Sequence, residues 1–335
     1  MKNKKIIICG GYGYHNWGDE AQLLNNVRLL KEKGYKDLTI LSPKPYIQNL
    51  CKCPVLLLKN LTSLKKFDIL FFSGSGTINT RNWSRIKRAL KPCELAIKEN
   101  KKIILSGQGI TPLNNIKIEK YIANILNQVD TIIIRDFELG KKELKRIGIK
   151  EDKIILGIDD AFTTPTKTSK SLPKNSVGIN VSFYIIPRLY TVFYEVAKQL
   201  KEQGFYPIFN FYQSCDEKIV KKITKNKFPI RNFNHPYEIA EFNKQIVASI
   251  GMRYHSTVFS LGAKTPNVNI YLDNYQKLKL KAINDIFKVP SYLNGNKCNA
   301  KDILKEFYKT RQEQKKYNKL YDKWIPNSNL GVKLL

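Results

Sequence analysis

A short, wholly apolar run, a glycine-rich loop and a helix with one apolar face open the chain, and the same triplet recurs along most of its length. Lys5 to Cys9 reads as a strand, Gly10-Gly11-Tyr12-Gly13 as the loop, and Glu20 to Lys33 as the helix. Within that helix Ala21, Leu24, Val27 and Leu30 recur at helical spacing, and Gly34 closes it. The next strands are Leu38 to Leu41 and Ile69 to Phe72, the latter running into Gly74-Ser75-Gly76. A basic helix from Ser84 to Asn100 follows, with a bend or break expected at Pro92. Ile103 to Leu105 reads as a strand ending in the loop Gly107-Gln108-Gly109. Ile116 to Asn127 is the next helix, Thr131 to Ile134 a strand, and Glu138 to Ile147 a helix. Strands that are apolar on both faces and alternate with helices predict a mostly parallel sheet with helices on each side.

The pattern stops at Thr163 to Asn175, a stretch rich in Thr, Lys and Ser that holds two prolines and no periodicity. A second series then begins. Val177 to Val181, Tyr206 to Phe211, Ile246 to Ile250 and Asn267 to Tyr271 read as strands, Leu189 to Gln203 and Ser256 to Gly262 as helices. The expected fold class is α/β, with two doubly wound Rossmann-like domains facing a cleft. The expected boundaries are 1–165, a linker at 166–175, a second domain at 176–300, and a C-terminal helix at 301–335 packing back across both. In such sheets ligands bind beyond the carboxyl ends of the strands, so the loops there are where chemistry is sought.

Charge narrows the ligand class. Lysine and arginine number 58 against 28 aspartates and glutamates, a formal net charge of +30. A field of that sign attracts phosphorylated substrates and the anionic face of a membrane. The lysines are spread along the chain and not blocked into a tail, so no nucleic-acid partner is expected. No apolar run approaches the roughly 20 residues of a membrane helix, and Ile6 to Cys9 is too short for a signal-peptide core. Cytoplasmic localisation is expected, with the charge leaving open peripheral contact at the inner face of the membrane. Six cysteines contain no C-x-x-C pair, and neither a metal site nor a bound cofactor is expected.

Three loops carry candidate chemistry. Gly10 to Glu20 is neither a P-loop nor a good dinucleotide fingerprint, yet its glycines let backbone approach a ligand ahead of a helix N-terminus. Asn16 and Asp19 flank Gly18 there and could bind sugar hydroxyls, while Glu20 fits the helix dipole. In Arg253-Tyr254-His255, arginine offers a planar fork for carboxylate or phosphate, and histidine two residues on can move a proton near neutral pH. A helix-capping histidine beside an ion-paired arginine fits this triplet equally well. Arg135-Asp136, likewise, could be a simple ion pair.

Taken in order, these segments resemble the polysaccharide pyruvyl transferase family. Gly11-Tyr12-Gly13 with Asn16-Trp17-Gly18-Asp19-Glu20-Ala21 is similar to its opening motif, and Phe72 to Gly76 to its second glycine loop. Gly107 to Leu113 resembles its Gln-Gly-x-x-Pro-Leu segment, Arg135-Asp136 its Arg-Asp motif, and Arg253-Tyr254-His255 its Arg-Leu-His motif. Ser75 stands where the family has glycine, and Tyr254 where it has leucine. The resemblance implies a GT-B-like architecture and a transferase that moves the pyruvyl group of phosphoenolpyruvate, as co-substrate, onto a glycan or lipid-linked oligosaccharide of the cell envelope. It places Arg135, Arg253 and His255 in the phosphoenolpyruvate pocket. The expected catalytic residues are His255 and Asp19; the expected substrate contacts are Arg253, Arg135, Tyr254, Asn16, Gly18, Gly74, Gly76 and Gln108. The rival readings are a GT-B glycosyltransferase with a nucleotide-sugar donor and, ranked third, a non-catalytic protein that binds anionic glycans or nucleic acid.

Overall fold

The apolar runs become the strands of two parallel sheets. The computed structural model describes residues 3–58, 65–79, 82–168, 170–288 and 292–335. The first sheet is built from β1 (Ile6–Cys9), α1 (Trp17–Glu32), β2 (Leu38–Ser42), α2 (Ile47–Cys51), β3 (Val55–Leu57), β4 (Ile69–Phe72) and β5 (Ser75–Ile78). It continues through α3 (Trp83–Lys98), β6 (Lys102–Ile110), α4 (Ile116–Leu126), β7 (Thr131–Ile134), α5 (Phe137–Arg146) and β8 (Ile154–Leu156). Its strand order is β3-β2-β1-β4-β6-β7-β8, with β5 added alongside β6. Every β1 and β4 side chain is buried, as strands without a polar face require.

The second sheet takes β9 (Ser176–Asn180), α6 (Pro187–Glu202), β10 (Tyr206–Asn210), α7 (Glu217–Thr224), β11 (Ile230–Arg231), α8 (Pro236–Gln245) and β12 (Ala248–Gly251). Then come α9 (Tyr254–Gly262), β13 (Asn267–Tyr271), α10 (Asn274–Phe287), β14 (Tyr292–Asn294), α11 (Ala300–Gln312) and α12 (Gln314–Trp324), while the last helix, α13 (Leu330–Lys333), belongs with the first sheet. The order is β11-β10-β9-β12-β13-β14. In both sheets the winding direction reverses beside the first strand, between β1 and β4 and between β9 and β12. That switch point opens a crevice at the strands' carboxyl ends.

The chain divides into two units. One comprises Met1–Tyr14, Asp19–Ala161 and Asn327–Leu335; the other comprises His15–Gly18 and Phe162–Pro326. Each has its own core, the first around Ile7, Leu70, Leu105 and Ile132, the second around Val177, Ile179, Phe209 and Ile250. Burying each such side chain contributes about 1.5–3 kcal/mol. The stretch read as a linker carries no strand or helix from 166 to 168 or from 170 to 175, and residue 169 lies outside the described set. Leu172 is held there by its N–H on Gln245 Oε1 at 3.0 Å.

Local chemistry sets the helix ends. Asn82 and Asn115 cap α3 and α4 by accepting from the N–H groups of Arg85 and Ile118. Pro187 and Pro236 open α6 and α8, where a missing N–H costs nothing. Helix α3 continues through Pro92. The C-terminal region is not one helix: α11 ends at Gln312, α12 begins at Gln314, and α13 packs on β6.

Two segments read as glycine loops turn out to be paired strands. Ser75 lies opposite Gln108 and Ile78 opposite Ile110, so β5 lengthens the sheet where β6 runs on through Gly107-Gln108-Gly109. The register of β6 against β7 shifts between Leu105 and Gln108, with Gly107 at φ +60°. Such a pairing depends on partners over 30 residues apart, which periodicity within one segment does not carry. No helix among the described residues is long and apolar enough to cross a membrane.

Candidate active site

The second unit carries one cluster at its switch point. Arg253 follows β12, and its guanidinium grips the carboxylate of Asp216 in fork geometry, Nε to Oδ2 at 2.6 Å and Nη2 to Oδ1 at 2.5 Å. Asp216 is fully buried, while the Arg253 side chain keeps 14% of its surface exposed. The backbone N–H of Phe183 also donates to Asp216 Oδ1, at 2.8 Å, and the Phe183 ring lies 5.8 Å beneath the guanidinium. Arg253 is thus locked in orientation with Nη1 left over from the fork. An arginine held this way aims its remaining N–H groups in a fixed direction, where they can receive an oxyanion.

His255 stands in the first turn of α9, 7% exposed. Its imidazole packs against Gly18, where any Cβ would fall on the ring's Cγ and Nδ1. Glycine is required there by this close approach. The segment around Gly18 is fixed by the N–H of Trp17 on Tyr212 O at 3.1 Å and by a bridge between Asn16 and Gln213. Asn16, Gly18, Arg253, Tyr254 and His255, five of the expected site residues, therefore belong to one unit. Tyr254 is half-buried, edge-on to His255 at 5.1 Å, with Lys279 Nζ 4.7 Å over its ring. Asn180 closes the end of β9, donating to Asn210 Oδ1 at 3.0 Å. Asn180 Oδ1 and Ser256 Oγ are buried there without a hydrogen-bond partner among the described residues. Buried polar atoms of that kind beside a helix N-terminus are what an incoming ligand would satisfy.

The first unit carries a different, mostly buried cluster. Arg135, at the end of β7, is ion-paired with Asp159, and the two side chains are 1% and 0% exposed. Gln108 donates from Nε2 to Ser106 O at 2.8 Å and, more weakly, to Phe72 O and Ser73 O, tying β6 to the end of β4. Gly74 allows the Gln22 amide to lie where a Cβ would come within 2.8 Å of it, and Gln22 donates on to Asp159 Oδ1 at 2.9 Å. Gly76 is half-buried, its carbonyl accepting from Asn79 at 3.1 Å. Asp19 lies half-buried in the first turn of α1, its carboxylate beside Gly11. Glu20 does not simply answer the helix dipole: it is fully buried and accepts a hydrogen bond from Tyr46. Tyr12 of the opening motif is likewise buried, donating to Ile8 O at 2.6 Å.

Beneath these residues lies Asp160. It accepts from Asn26 Nδ2 at 2.9 Å, Ser106 Oγ at 2.8 Å and the N–H of Asn329 at 3.0 Å. Burial pushes its pKa up to about 6, against the opposing pull of those hydrogen bonds. Among the described residues no three His, Cys, Asp or Glu side chains converge as metal ligands would.

The family model for polysaccharide pyruvyl transferase matches residues 16–274. The chain belongs to the polysaccharide pyruvyl transferase family. That span includes Asn16, Gly18, Arg135, Arg253 and His255, and so most of both clusters just described. No curated protein matches the chain in sequence. Among solved structures the chain is similar to Staphylococcus aureus MnaA in complex with UDP, at 9% identity and TM-score 0.65, covering 98% of this chain and 94% of that one. It is also similar to Anabaena HepE in complex with UDP-glucose, at 10% identity and TM-score 0.61, covering 98% and 97%. A Rickettsia africae glycosyltransferase matches at 15% identity and TM-score 0.62, covering 99% and 97%. At such identities the likeness establishes the fold: two Rossmann-like halves of the GT-B kind, as the family resemblance implied.

Sequence reasoning missed Asp216, Asp159, Asp160, Asn180 and Ser256. The adjacent acids 159 and 160 offered a signal, a carboxylate pair placed after an apolar strand in a strongly basic chain. Asp216 offered none, because its partner is 37 residues away.

Proposed function

We propose that this family member transfers the pyruvyl group of phosphoenolpyruvate to sugar hydroxyls of a cell-surface polysaccharide or its lipid-linked precursor, releasing phosphate. The observation that carries the reading is Arg253, locked by buried Asp216, standing two residues from His255 at the carboxyl end of β12 within the span matched by the family. Phosphoenolpyruvate has a carboxylate and a phosphate, which suit the N–H groups that Arg253 has left beside Asp216 and the N-terminus of α9. His255 gives a proton to the methylene carbon. The carbon bearing phosphate becomes cationic, and a sugar hydroxyl adds to it. Phosphate leaves with its bonding electrons, and a second hydroxyl of the same sugar closes the ketal. Each attacking hydroxyl loses its proton, so one proton goes to the new methyl group and one to the departing phosphate or solvent. Asp19 is our candidate for receiving a proton from the acceptor. Arg135 is engaged by Asp159 inside the first unit, and we assign it a positioning role at the end of β7.

The test is transfer of label from phosphoenolpyruvate to a panel of free and lipid-linked oligosaccharides, with phosphate release measured alongside. His255→Gln should lower the rate about 10²–10⁴-fold. Unchanged turnover in that variant removes the assignment. Nucleotide release from a sugar-nucleotide donor, with no use of phosphoenolpyruvate, would instead favour the glycosyltransferase reading that the UDP-bound structural neighbours bring to mind.

A further inference from the structure

We infer that the outer face formed by α3 and α4 is a docking surface for an anionic lipid bilayer. The N-terminal ends of these helices meet, with the ring of Trp83 edge-on to Tyr121 at 5.1 Å and Lys117 Nζ 5.2 Å above the indole. Beside them Ile116 is 67% exposed, the largest value among the exposed large hydrophobic side chains of the described residues. Helical spacing turns Ile86, Leu90 and Cys93 of α3 and Ile118, Ile122 and Ile125 of α4 into the core. The same spacing turns Lys87, Arg88, Lys117 and Lys120 outward.

Two features mark this face. Its four cations make no ion pair among the described residues, whereas Lys141 and Lys145 pair with Glu151, Lys221 with Glu217, and Lys281 with Asp285. The acids of α3 and α4 are also taken, Glu94 by Lys91 and Glu119 by Arg146. Helix α12 has lysines too, but its tyrosines 317 and 321 are buried and none of its described large hydrophobic side chains is as exposed as Ile116. On the α3–α4 face an exposed isoleucine and a half-buried indole share a surface with cations that make no ion pair among the described residues. That combination suits lipid headgroups over a soluble polyanion, since only a bilayer offers both anionic groups and an apolar layer beneath them.

The inference does not depend on the donor, because vesicle binding requires no turnover. The full chain should sediment with vesicles of equal parts phosphatidylcholine and phosphatidylglycerol, not with phosphatidylcholine alone, and high salt should release it. At about fivefold per lysine, the triple change Lys87→Gln, Lys117→Gln, Lys120→Gln should weaken partitioning about a hundredfold. Ile116→Ser, which leaves charge untouched, should weaken it about tenfold. The control is Lys315→Gln, Lys316→Gln, Lys319→Gln in α12, which removes the same charge and should change binding little. Equal loss in the two triple variants would overturn the assignment, since charge alone would then suffice. So would absence of vesicle binding, or an Ile116→Ser protein that binds as wild type. Loss of self-association or of soluble acidic-glycan binding in the α3–α4 variant, with vesicle binding intact, would assign the face to that other partner.

Discussion

Adding one methyl group at Gly18 tests whether the placement of His255 is as tight as the structure shows. The Cβ of Gly18→Ala would fall on Cγ and Nδ1 of the imidazole, so the ring must rotate away or the backbone must shift. Overpacking of this kind costs about 1–3 kcal/mol. At about 2–4 °C per kcal/mol for a unit of this size, thermal unfolding should come about 2–12 °C earlier. Gly18 is the second residue of α1, where alanine is otherwise neutral or favourable by up to about 1 kcal/mol. Removing the side chain from Cβ outward should therefore abolish the penalty: in a His255→Gly background, Gly18→Ala should be neutral or stabilising, whereas His255→Ala would leave a Cβ 2.6 Å from the added one. The double-mutant cycle would give a coupling of about 1–3 kcal/mol, read by thermal or denaturant unfolding without any assumption about activity. The same substitution should lower turnover toward that of His255→Gln, because the ring is displaced. A penalty of equal size in both backgrounds, or a Gly18→Ala protein with wild-type stability, would refute the contact.

Asp216→Asn should destabilise the second unit by about 3 kcal/mol, the lower part of the range for breaking a buried ion pair, because asparagine keeps one acceptor; unfolding followed in denaturant checks this. Arg253→Lys should raise the KM for phosphoenolpyruvate more than it lowers kcat, since charge survives but the fork does not; steady-state kinetics separates the two. Asp160 binds its proton more tightly folded than unfolded, so its contribution favours the native state at low pH and is lost as pH rises from about 4 to about 6. The stability of Asp160→Asn should consequently rise more steeply with pH across that window than the wild type's, as denaturant midpoints at several pH values would show.

The parallel sheets were readable from single segments. Ile6 to Cys9, Ile69 to Phe72 and Thr131 to Ile134 hold no polar face, and strands of that kind must be covered on both sides. The motif residues around Gly18 and Arg253 could likewise be picked out, because glycine and arginine have uses that few other residues share. What those residues touch was decided only by the folded chain. Arg135 and Arg253 look alike in sequence, each following an apolar strand, yet one is sealed against Asp159 and the other keeps part of its guanidinium at the surface. The pairing of β5 with β6, the grip of Asp216 on Arg253 and the seat of His255 on Gly18 join residues 30 to 240 positions apart. Local patterns fix which residues are apolar and where helices start. Carboxylate partners, glycine contacts and strand pairings arise when loops from distant strands meet at one end of a sheet, and no periodicity along the chain encodes that meeting.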